Sequence, residues 1–166
     1  MNNKYYLVIG GLLLLIGITT VNQCGSPEPK PSDVEVPPSF SGLVDKAPYV
    51  RFCELVENPQ GYSNQILRTE ATLYSNHENV ALSSSECNDT KNIVWTDFDP
   101  SYDYSDEAVK KKFTEQLCPQ TPCPSGKAKV IVVGQFEGPN DQGYGHLNAY
   151  RYRFLIMRII RADAAS

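Results

Sequence analysis

The stretch from Tyr5 to Val21, YYLVIGGLLLLIGITTV, holds no charge across 17 residues and presents no polar face. Such a run is long for the apolar part of a signal peptide and short for a membrane span, and either role places it in a bilayer rather than in a core. Next comes SPEPKPSDVEVPPS, residues 26–39, with five prolines and almost no aliphatic side chains. That composition cannot bury enough surface to fold and predicts an extended, solvated tether. About 120 residues then remain, enough for one hydrophobic core. The expected organisation is a signal peptide or anchor over 1–24, a tether over 25–40 and a single domain over 41–163.

Charge sets the address. Lys4 precedes the apolar run, while Glu28, Asp33 and Glu35 follow it, so the positive-inside bias puts the N-terminus in the cytoplasm and the domain outside. The net charge of −4 argues against binding nucleic acid through bulk electrostatics, because neutralising phosphates needs a concentrated basic surface. Directly after the apolar run, Val21-Asn22-Gln23-Cys24-Gly25-Ser26 resembles the lipobox of bacterial lipoproteins, which implies acylation of Cys24 and a membrane tether in the cell envelope. An uncleaved signal anchor and a simple cleaved secretory peptide are the alternatives. All three export the domain.

Five cysteines leave one thiol unpaired in an oxidising compartment, and lipid attachment at Cys24 would remove it from the count. Of the other four, Cys118 and Cys123 share the proline-stiffened CPQTPC, and Cys53 and Cys87 form the natural second disulfide. A zinc site is the rival reading, but the sequence holds only one close cysteine pair.

Hydrophobic periodicity outlines the domain. Val50 to Asn58 spaces its apolar residues as a short helix that Asn58-Pro59 should end, with a turn over Gln60 to Asn64. Ile66 to Tyr74, ILRTEATLY, alternates, with Leu67, Thr69, Ala71 and Leu73 on one side. Val80 to Ser84 and Ile93 to Phe98 read as two further strands, and Asp106 to Leu117 as a helix with acids first and lysines later. Lys127 to Phe136 is rich in β-branched residues, and Tyr150 to Ile160 is the last strand. Mainly β, with a short N-terminal helix and a helix between strands three and four, is the element order of the five-stranded OB-fold, a Greek-key barrel. A β-sandwich is the other architecture open to this strand count. The words CELVENPQGYSNQILRTEATL and GYGHLNAYRYRFLIMRI resemble the opening and closing segments of small uncharacterised exported bacterial OB-fold-like proteins. That resemblance covers roughly residues 48–161 and implies a fold and an address without an activity.

Functional candidates are few. The segment EGPNDQGYGHLNA, residues 137–149, joins the last two strands and in an OB-fold would border the binding face, so Tyr144, His146 and Asn148 are the expected ligand-contacting residues. The plainer reading makes its glycines the turn of a long hairpin. Tyr150, Tyr152, Phe154 and Ile156 alternate with Arg151 and Arg153 as a barrel wall would, although aromatics beside cations also suit single-stranded nucleic acid. The acidic run Thr96 to Glu107 reads as a solvated loop, since its spacing does not continue a calcium loop. His146 and His77 sit in no metal-ligand pattern, and no GxSxG, SxxK or Cys–His pair marks a nucleophile. The expectation is an envelope binding or accessory domain, without cofactor, metal or catalytic residues, whose partners are the membrane and an envelope protein or glycan rather than nucleic acid. An envelope hydrolase using His146 with a nearby carboxylate is the alternative.

Overall fold

The computed structural model describes residues 40–87, 93–119 and 125–165. All belong to the second of the two units into which the chain divides, Val36–Ser166. The expected anchor, Cys24, the tether and Cys123 lie outside the described residues. Among those residues, no helix is long and apolar enough to cross a membrane.

The domain is mainly β. Five strands, β1 (Gln65–Asn76), β2 (Val80–Ser83), β3 (Val94–Tyr104), β4 (Ser125–Glu137) and β5 (Arg153–Ala164), form one mixed sheet. Their order is β1-β2-β3-β5-β4, and β4 pairs back onto β1, so the sheet closes into a barrel-like ring. Neighbours are antiparallel except β3 and β5, which run parallel. Three short helices precede the sheet, α1 (Phe40–Asp45), α2 (Phe52–Glu57) and α3 (Pro59–Tyr62), and α4 (Glu107–Leu117) lies between β3 and β4.

Period-two patterning explains β1. Leu67, Thr69, Ala71 and Leu73 point inward and are buried, as the alternation requires, and β1 pairs with β4 from Gln65↔Phe136 to Asn76↔Ser125. Leu55 of α2 joins Leu82, Phe136, Phe154, Ile156 and Ile159 in the interior with no exposed surface. Each such side chain contributes roughly 1.5–3 kcal/mol of transfer free energy. The Thr69 hydroxyl is buried there without a hydrogen-bond partner among the described residues. Helix α4 starts where Asp106 Oδ1 accepts the Val109 N–H at 2.8 Å, and its Phe113 packs edge-on against Phe98 and Tyr104. Burial, then the neighbouring Tyr102, pushes the Tyr104 phenol above its ordinary pKa.

A second apolar cluster lies on the outside of the ring. Val44 and Ala47, in and just after α1, cover Val133 and Met157 of β4 and β5. Arg158 locks this cover, binding Asp45 at 2.6 Å and Asp103 of β3 at 2.7 Å. The chain then runs along β1, where Val50 N–H donates to Arg68 O and Arg68 N–H donates to Pro48 O.

Cys53 of α2 is disulfide-bonded to Cys87, just beyond β2. Cys118 is disulfide-bonded as well, and its expected partner Cys123 lies outside the described residues. Such bonds fit a domain that works outside the reducing cytoplasm.

Three expectations need correction. The acidic run is not a free loop: β3 continues through it to Tyr104, because Asp103 and Tyr104 resume pairing with Arg158 and Ile159 after a break in register. The last strand starts at Arg153 rather than Tyr150, since the preceding chain turns back on itself. Pro59 ends α2 but opens α3 where a turn was expected, as a proline at the first helical position can.

Candidate functional site

Residues 138–152, which join β4 to β5, fold back as a small tied hairpin. Tyr144 and Tyr150 exchange backbone hydrogen bonds at 2.7 and 3.3 Å. The turn needs glycine at 145, whose φ of 70° and ψ of −158° are closed to other residues and whose Cβ would lie 2.3 Å from the Trp95 ring. The hairpin is therefore seated directly on β3.

A chain of polar contacts beneath it fixes one side chain. Glu137, at the end of β4, holds Arg153 through both carboxylate oxygens at 2.8 and 2.9 Å. Arg153 also reaches Asp97 at 3.4 Å and lies 5.3 Å from the centre of the Tyr144 ring. Burial works against the Arg153 charge, but the Glu137 and Asp97 carboxylates outweigh it and raise its pKa. Asp97 accepts the indole N–H of Trp95 at 2.9 Å, and the Trp95 ring meets Tyr150 at 5.2 Å. Finally, the Tyr150 hydroxyl donates to Asn79 Oδ1 at 3.1 Å. Asn79 belongs to the β1–β2 turn, where Asn76 Oδ1 accepts the N–H groups of Glu78 and Asn79. Two loops 71 residues apart in sequence are thereby joined through Tyr150.

Beside this joint, on the outer surface of β1 and β2, lies an open groove of about 440 Å³. Tyr74 and Ala81 lie along it, Ser83, Ser84 and Ser85 line one part, Ile93 another, and Asn76, Asn79 and Tyr150 complete it. Among these lining residues none is charged. Tyr74 is 47% exposed and Ile93 41%. The hydroxyls of Ser83 and Ser85 have no hydrogen-bond partner among the described residues. A second cleft, of about 430 Å³ beside α2, differs in kind: Arg51, Glu54, Glu57, Glu70, Glu86 and Lys129 line it. Several of its charges already have partners, Glu70 with Lys129 and Arg161, and Glu54 with the Tyr62 hydroxyl.

The residues expected to contact ligand are placed as follows. Tyr144 is half-buried under Arg153, and His146 and Asn148 are exposed on the hairpin. None of the three lines the groove. The His146 imidazole has no carboxylate partner among the described residues. His77, distant in sequence, sits in the β1–β2 turn that the hairpin touches through Asn79. Of the residues expected in the barrel wall, Phe154 and Ile156 are fully buried and Tyr152 stacks on Phe136 at 5.9 Å, but Tyr150 leaves the strand and faces the groove. The acidic run is occupied with structural work: Asp97 and Asp103 bind arginines, Asp99 accepts from Ser101, Asp106 caps α4 and Glu107 pairs with Lys110. Among the described residues no three His, Cys, Asp or Glu side chains converge as metal ligands.

Sequence reasoning missed Tyr74, Asn79, the serines and Ile93. One signal was present: Tyr74 follows Arg68, Glu70 and Thr72 on the outward face of β1, and an aromatic there has no core to fill. No protein-family model and no curated protein sequence matches the chain.

Proposed function

We propose that this chain is an exported binding module of the bacterial envelope, tethered to a membrane through its N-terminus, that holds its ligand in the groove between Tyr74, Ser85 and Tyr150. Support for an OB-type barrel comes from the strand order β1-β2-β3-β5-β4 and the helix between β3 and β4. In that fold the β1–β2 and β4–β5 loops flank the binding face. The observation that carries the reading is the Tyr150–Asn79 hydrogen bond, which joins those two loops at the rim of a groove with exposed aromatic and aliphatic surface. A prebuilt rim of this kind costs little ordering entropy on binding.

The export signal is supported by the charge-free run before Cys24 and by the disulfides. Mass spectrometry of the mature N-terminus should find an acylated Cys24; a chain that starts at Met1 would make the run a signal anchor. For the groove, the full chain should cosediment with envelope fragments of its own cells, Ile93→Arg should lower retention about tenfold or more, and His146→Ala should leave it unchanged. Equal retention of Ile93→Arg and the parent would move binding elsewhere. Turnover of an ester or glycoside that His146→Ala abolishes would establish the hydrolase instead.

A further inference from the structure

Resting on that groove as the binding site, we infer that its ligand is an uncharged, linear oligosaccharide. Three alternatives fail on the groove's chemistry. A charged ligand would give up water for a lining that has no charge among its described residues, and burying an ion against neutral groups alone is strongly unfavourable. A wholly apolar ligand would strand the free hydroxyls of Ser83 and Ser85, at about 1–3 kcal/mol for each group left dry and unpaired. An extended peptide gains most of its affinity by adding to a sheet edge. Here β1 pairs with both β2 and β4 over residues 72–75, and β2 pairs with both β1 and β3, so the strands that floor the groove offer no free edge there.

A sugar meets all of these demands. Its hydroxyls both donate and accept, as do those of serine, and its C–H faces cover aromatic rings without charge. Tyr74 offers such a ring, nearly half exposed, and Asn79 holds Tyr150 in place at the rim. The groove is also extended. It shares Ser84 and Ser85 with the cleft beside α2, and Tyr74 and Asn76 with a depression that reaches Gln116 of α4. Both neighbours carry charges outside the neutral groove, Glu86 and Lys129 in the one and Glu115 and Lys127 in the other. Depressions that meet at shared residues fit a linear chain of sugars better than a single ring, because sugar hydroxyls donate to carboxylates and accept from lysines as they do with serine.

The test is calorimetric titration of the full chain in detergent micelles with cellohexaose, maltohexaose and chitohexaose, their disaccharides, and a sulfated heparin hexasaccharide. At least one neutral hexamer should bind, about tenfold or more tighter than its disaccharide and than the sulfated chain. Tyr74→Ala and Ser85→Phe should each weaken it about tenfold or more while the fluorescence of Trp95, the chain's single tryptophan and the report of a folded domain, stays unchanged. Binding of none of the neutral hexamers, preference for the sulfated chain, or indifference to both substitutions overturns the inference. A photocrosslinker at position 85 separates the two readings. If no hexamer binds but the crosslinker captures an envelope protein that Ile93→Arg releases, the oligosaccharide is wrong and the binding module stands; no sugar and no capture removes both.

Discussion

Two flanks of the same ring are finished differently. On the β4–β5 flank, Val44 and Ala47 cover Val133 and Met157, and Arg158 fastens the cover through Asp45 and Asp103. On the β1–β2 flank, Tyr74 and Ile93 stay exposed, although a helix and a disulfide lie close by at Cys53 and Cys87. Both surfaces are apolar enough to gain from being covered, yet the described residues cover only one. The covered flank is part of what makes the domain stable, and the open one is the surface proposed to take a ligand.

Matched substitutions break this comparison most strongly. Val133→Asp places a charge where no surface is exposed and should cost about 3–5 kcal/mol, read as a large drop in the denaturant midpoint. Ile93→Asp should change stability by less than about 0.5 kcal/mol. Equal effects would erase the distinction between the flanks. Next in size is loss of the Cys53–Cys87 bond, which closes a span of 34 residues. Replacing both cysteines with alanine should cost roughly 3–4 kcal/mol in the chain-entropy model, and a stability indistinguishable from the parent would show that the core alone holds α2 in place.

A smaller effect tests the groove's rim. Gly145→Ala forces a methyl group toward Trp95 at a backbone conformation closed to alanine, and should cost about 1–3 kcal/mol. Because Trp95 is the chain's single tryptophan, its emission should shift at the same time. Unchanged emission would mean that the hairpin does not rest on Trp95. The smallest effect concerns acid. The Ser101 hydroxyl, then its N–H, lowers the Asp99 carboxyl below its ordinary pKa, so Asp99 stabilises the folded state above the unfolded-state pKa and loses that contribution as pH falls through the folded value. The carboxylate is well solvated, so its share is small. Asp99 lies in the register break of β3, between the half that carries Trp95 and the half that carries Asp103. Asp99→Asn should flatten the acid limb of the stability profile slightly; a steeper limb would contradict this role.

Much of the fold was legible because it is written locally. The alternation in ILRTEATLY placed Leu67, Thr69, Ala71 and Leu73 inside, and Asp106 opened its helix as a short acidic side chain at an N-terminus does. The Cys53–Cys87 bond followed from counting the cysteines. The second half of β3 was hidden, because SYDY carries no alternation of burial and earns its extended form only from parallel pairing with β5, more than 50 residues later. Tyr150 was misplaced for the same reason: its spacing matched the strand, but the turn at Gly145 lifts it away.

By itself the sequence determined a charge-free apolar run, a proline-rich stretch and a β domain with alternating strands, since each of these depends on residues a few positions apart. Only the tertiary structure decided which surface stays open. The Tyr150–Asn79 bond joins residues 71 positions apart, and α1 covers one flank and leaves the other bare. A groove is a relation between distant segments, and no local pattern of side chains encodes it.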